Sequence, residues 1–152
     1  MEIRGEHRID APREVVWALL LDPAVLRECL PGCERFEPAG DRTYAVTMRL
    51  GVSELGPSSH GTARIVEEQR PSSYRLLLSG DGSTGRINGD ATVALDESGG
   101  GTLVRYRCEL RARSILARMG MRLLGSAAKP KIAQFFRALE YRAAAAGDRP
   151  SG

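Results

Sequence analysis

Residues 114–146 read SILARMGMRLLGSAAKPKIAQFFRALEYRAAAA, and what this stretch becomes decides the fold. Leu116, Met119, Leu123, Leu124, Ala127, Ile132, Phe135, Phe136 and Leu139 recur at close to the period of a helix. Pro130 removes one backbone hydrogen bond, so a bend is expected near Lys129. The stretch predicts one long amphipathic helix whose apolar stripe needs a surface to cover it.

That surface lies upstream. RTYAVTMRLG (42–51) sets Tyr44, Val46, Met48 and Leu50 on one face, and HGTARIVEEQ (60–69) does the same with Gly61, Ala63 and Ile65. SSYRLLLSG (72–80) is a continuous apolar run that includes Leu76 and Leu78. TGRINGDATVALD (84–96) alternates through Ile87, Gly89, Ala91, Val93 and Leu95. After the loop ESGGG, TLVRYRCELRAR (102–113) sets Val104, Tyr106, Cys108 and Leu110 against Arg105, Arg107, Glu109 and Arg111. ERFEP (34–38) reads as an edge strand, and the opening EIRGEHRI alternates as another. Between them DAPREVVWALLLD changes to helical spacing, with Pro12 at a helix start and Glu14 in the first turn; Asp22-Pro23 starts a second short helix, stopped by Pro31-Gly32.

The order is therefore strand, two short helices, six strands and a long helix. About seven antiparallel strands with a single long helix must curl around it to bury both apolar faces. This is the α+β helix-grip arrangement, and a strongly curved sheet standing off from one helix commonly leaves a cavity. The 152-residue length fits one domain, expected over 1–146, with 147–152 as a disordered tail.

Bulk properties restrict the function classes. A 42% hydrophobic and 27% charged composition is that of an ordinary globular protein, which excludes a disordered chain. No run approaches the roughly 18 apolar residues of a spanning helix, and MEIRGEHRID has no apolar signal core, so a cytoplasmic protein is expected. Three cysteines without a secretory signal point to free thiols. The net charge of +3 is unevenly placed: Arg118, Arg122, Lys129, Lys131 and Arg137 give the last helix a basic surface. It would suit an anionic membrane face or an acidic partner, or form a solvated helix face. Nucleic acid is disfavoured, because no aromatic residues interleave with these cations to stack bases.

IDAPREVVWALLLDPAVLRECLPGCE (9–34), TYAVTMRLG, GTARIVEE, GDGSTGRINGDATVAL and GTLVRYRCELRARSILARMGMRLL followed by IAQFF resemble the CoxG family of carbon monoxide dehydrogenase subunits. That family lies within the helix-grip superfamily of START lipid-transfer domains, birch-pollen-allergen-like proteins and polyketide cyclases. The resemblance covers roughly residues 1–142 and is most specific in the Ala11-Pro12, Val16-Trp17 and Cys29-Leu30-Pro31-Gly32 segment. It implies a hydrophobic-ligand cavity and an accessory role to a molybdenum hydroxylase at the membrane. It also implies peripheral attachment, which many members are thought to achieve with a C-terminal tail.

Two literal motifs are decoys. Gly80-Asp81-Gly82-Ser83-Thr84-Gly85 has dinucleotide-binding spacing, but strand alternation follows it where a helix N-terminus would have to receive the pyrophosphate. Cys29 and Cys33 are spaced for metal or redox chemistry, yet only Cys108, His7 and His60 could complete a zinc site, so no metal is expected. No GxSxG elbow or similar signature nominates a nucleophile, and no catalytic residue is assigned.

The expectation is a non-catalytic carrier with no covalent cofactor, holding a quinone or isoprenoid lipid against Tyr44, Val46, Met48, Leu76, Leu78, Val93, Tyr106, Cys108, Leu110, Leu116, Met119, Leu123, Ile132, Phe135 and Phe136. One alternative is a cyclase, aromatase or dehydratase in which His7, Tyr44 or Tyr106 handles protons in the same cavity. Another is a docking module that uses the basic helix.

Overall fold

Local chemistry starts and stops the helices where the sequence places them. In a computed structural model that describes residues 1–49, 58–82 and 85–147, Asp22 accepts from the Ala24 amide at 3.0 Å ahead of Pro23. Ser114 accepts from the Ala117 amide at 3.0 Å, so each hydroxyl or carboxylate satisfies an amide that the first helical turn leaves without a partner. The chain runs β1 (Glu2–Ile9), α1 (Arg13–Leu20), α2 (Pro23–Cys29), β2 (Cys33–Pro38), β3 (Thr43–Met48), β4 (Ser59–Gln69), β5 (Ser73–Gly82), β6 (Gly85–Ser98), β7 (Gly101–Ala112) and α3 (Ile115–Gly147). Pro130 lies inside α3, and the helix runs on through it. The tail expected at 147–152 loses Gly147 to α3; its remainder, like Leu50, lies outside the described residues.

The strands form one antiparallel sheet in the order β1-β7-β6-β5-β4-β3-β2. Its central hairpins are tight. Gly99 and Gly100 turn β6 into β7 with φ of +54° and +82°, the left-handed pair that a two-residue hairpin loop needs. The GDGSTG segment is likewise a hairpin end: Gly82 pairs with Gly85, and β6, not a helix, follows. This disposes of the dinucleotide motif.

The curved sheet has an inner face that α3 only partly covers. The main sheet contacts of α3 are with β7, β6 and β1, and it also packs on α1 and α2. Its C-terminal half seats Phe136, Leu139 and Ala143 among Ile9, Val16, Trp17, Leu95 and Val104. Trp17 is 3% exposed and meets Tyr74 edge-on at 5.4 Å, so it anchors α1 to the sheet. Two hydrogen-bonded links fix the same half of the helix, His7 to Glu140 at 3.1 Å and Arg142 to Glu28. The inner faces of β3, β4 and β5 are left to something else.

Candidate functional site

That space is a cavity of about 480 Å³, partly open to solvent. Period-two alternation builds its floor. Tyr44, Ala63, Leu78, Gly89 and Leu110 stand in one cross-strand row, and Ile65, Leu76, Ala91 and Cys108 in the next. Each row mixes large and small residues, and the small ones make the hollow. A Cβ on Gly80 would meet nothing nearer than the Ile87 carbonyl oxygen at 3.9 Å, so that glycine is open space in the wall.

Twelve residues expected to line a cavity do so: Tyr44, Val46, Met48, Leu76, Leu78, Val93, Tyr106, Cys108, Leu110, Ile132, Phe135 and Phe136. Leu116, Met119 and Leu123 do not. They are 60%, 52% and 42% exposed, on the opposite side of α3. The reason is helical phase: the face set by Phe136 and Leu139 continues back through Ile132, Ala128, Met121 and Ala117, whereas the stripe read from the sequence merged that face with a second apolar one.

The sequence reading missed one end of the cavity, formed by Leu20, Leu21, Leu26, Leu30 and Phe36. Leu26 and Leu30, four apart, carried that signal. It also left unassigned the small residues Gly61, Ala63, Gly80, Gly89 and Ala91, whose contribution is the side chain they lack.

The walls are aliphatic and aromatic. Tyr44 tilts against Phe36 at 5.3 Å, and Tyr106 stacks on Phe136 at 5.7 Å. Burial pushes the Tyr106 phenol and the Cys108 thiol up from their ordinary pKa values, so both are neutral near pH 7. His7, considered above as a proton-handling group, lies behind Phe136 and does not line the cavity. Glu109 pairs with Arg111 at 3.3 Å.

Cys29 and Cys33 are free thiols. The turn between them is a chain reversal: Gly32 has φ of +79°, a Cβ there would stand 2.2 Å from the Arg49 carbonyl oxygen, and the Gly32 carbonyl accepts from the Arg49 amide at 2.7 Å. Cys33 Sγ donates to the Arg35 carbonyl at 3.4 Å. Among the described residues no three His, Cys, Asp or Glu side chains gather as a metal site would need. The basic residues named above lie outside the cavity, with Arg118, Arg122, Lys129 and Arg137 exposed and Lys131 half-buried.

A seven-stranded antiparallel sheet curved about one long helix, with an apolar hollow between them, defines the helix-grip class that includes START and birch-pollen-allergen-like proteins. Solved structures agree. A conserved protein from Geobacillus kaustophilus superposes with a TM-score of 0.84 at 26% identity, over 95% of each chain. A START superfamily protein from Mycobacterium smegmatis has a TM-score of 0.67 at 13% identity, over 93% of this chain and 96% of its own. Ara h 8.0201 has a TM-score of 0.69 at 14% identity, over 95% and 98%. No curated protein matches the sequence. The chain belongs to the CoxG family of carbon monoxide dehydrogenase subunits, which it matches over residues 5–144. No helix among the described residues is long and apolar enough to cross a membrane.

Proposed function

We propose that this protein is a non-catalytic carrier that holds a lipophilic molecule between the sheet and α3, as an accessory to a carbon monoxide dehydrogenase or related molybdenum hydroxylase. The cavity carries the reading. About 480 Å³ of space walled by Leu, Ile, Val, Met and aromatic side chains is of the size and lining that small-molecule sites have. Displacing water from such walls drives uptake of an apolar ligand without any charged partner. The rings of Phe36, Tyr44, Tyr106, Phe135 and Phe136 around the space favour a ligand with a flat ring, a quinone, over an unbranched chain. The accessory role rests on family membership.

Native mass spectrometry of protein purified from its own host, followed by titration with short-chain quinones, tests this function. A co-purifying lipophile and saturable quinone binding are expected. Protein that carries none and shows no saturation overturns the carrier reading.

A further inference from the structure

The first turns of α3 are apolar on two opposite sides. Ala117, Met121 and Leu124 turn inward, where Leu124 reaches the cavity. Ile115, Leu116, Met119 and Leu123 turn outward and are 75%, 60%, 52% and 42% exposed. At the helical repeat these four fall within about 100° of one another around the axis, a continuous solvent-facing stripe. A helix apolar on both sides is one that expects cover on both.

Charge says what covers it. From Arg113 to Leu139 the chain has six basic residues and no Asp or Glu. Arg118, Arg122 and Lys129 follow one edge of the stripe, within about 40° of one another; Lys131 takes the other edge and Arg137 its continuation. Among the described residues, none of these five cations nor Arg113 joins an ion pair, in contrast to Arg105, Arg107, Arg111 and Arg142, which are paired with Asp96, Glu2, Glu109 and Glu28. Arg118 donates only to the Ala112 carbonyl, at 3.1 Å. A second copy of the chain would bring the same cations against these.

We infer that the outer face of α3, centred on Ile115, Leu116, Met119 and Leu123, rests on an anionic phospholipid surface. The aliphatic side chains enter the acyl boundary and the flanking cations meet lipid phosphates, the division of labour of a helix lying in the interface. The stripe has none of the Trp or Tyr anchors that concentrate binding energy where proteins meet, which favours lipid over an acidic protein groove. The inference is independent of what the cavity holds.

Co-sedimentation of the purified full chain tests it, with vesicles of phosphatidylcholine alone and of equal parts phosphatidylcholine and phosphatidylglycerol. Binding is expected to the mixed vesicles only, and to fall as salt is raised. Met119→Ser combined with Leu123→Ser, at exposed sites, should lower partitioning about tenfold or more, as should Arg118→Gln combined with Arg122→Gln, with circular dichroism and quinone titration unchanged. No binding of the parent protein to anionic vesicles overturns the inference. So does binding that survives loss of the apolar pair, which would leave a merely basic surface, or capture of an acidic protein by α3 with no vesicle binding.

Discussion

The imidazole of His7 stacks on the ring of Phe136, centroids 5.0 Å apart and planes 12° from parallel. Tyr106 stacks on the same ring at 5.7 Å, so Phe136 is sandwiched between β1 and β7 while its edge forms cavity wall. It therefore serves the core and the cavity at once. Phe136→Ala should destabilise the fold by about 3–5 kcal/mol, the usual cost of removing a buried ring. Phe135→Ala, at a half-buried position on the cavity side, should cost less stability and more ligand affinity. Urea unfolding and quinone titration of both variants would separate the two roles; equal stability losses would contradict the assignment.

Gly80 has room in front of it. Its backbone lies outside the left-handed region and a new Cβ would meet only the Ile87 carbonyl oxygen, at 3.9 Å. Gly80→Leu should keep the fold and project a side chain into the hollow. Binding of an apolar fluorescent probe should weaken about tenfold, the effect of withholding one or two ring carbons' worth of buried surface. Gly61→Leu is the contrast: a Cβ there would lie 2.1 Å from the Ser79 carbonyl oxygen, so that variant should lose stability first.

The strands were legible because alternation is local. The inward sets Val93 with Leu95 and Val104 with Leu110 follow from counting by two, and the hairpins from their glycines. The phase of α3 was not. Ile115, Leu116, Met119 and Leu123 form as good a stripe as the one that is buried, and only the docking of Phe136 and Leu139 chooses between them. The α2 end of the cavity was obscured for a related reason: Leu26 and Leu30 read as packing, and their exposure to the hollow depends on where α2 settles against the sheet. Gly80 and Gly89 were visible as residues but not as volume.

Thr102 is fully buried, and its hydroxyl donates to the Ala11 carbonyl at 2.7 Å, tying the start of α1 to β7. Thr102→Val preserves shape but leaves that carbonyl without its partner. A loss of about 1–3 kcal/mol is expected, with quinone binding unchanged because neither residue lines the cavity. Chemical denaturation monitors the first and titration the second; a variant as stable as the parent would show that another group satisfies Ala11.

Cys108 offers a direct probe of the cavity. Burial, and then the nearby Asp90 charge, push its thiol up from the ordinary range, so the reactive thiolate is scarce at neutral pH. Iodoacetamide should modify it slowly near pH 7 and faster above about pH 9. A ligand that fills the cavity should slow it further while leaving Cys33, outside the cavity, at its own rate. Peptide mapping by mass spectrometry with and without quinone makes the comparison; equal protection of both cysteines would place the ligand elsewhere.

On the outer face of β5, Arg75 clasps both carboxylate oxygens of Asp90 on β6, with Nε to Oδ1 at 2.8 Å. These hydrogen bonds, and then the guanidinium charge, hold the Asp90 carboxyl below its usual range. A folded-state pKa below the unfolded one means that the unfolded chain takes up the proton more readily. The pair's contribution is therefore present above the unfolded value of about 3.9 and is lost as pH falls through the lower folded value. Asp90→Asn removes that dependence. The gap in thermal midpoint between parent and variant should be widest near neutral pH and close as the solution is acidified below about pH 4. Because both groups are solvent-exposed the gap will be small, and high salt should narrow it further. A gap that stays constant from neutral to acid would mean that the clasp contributes packing and not charge.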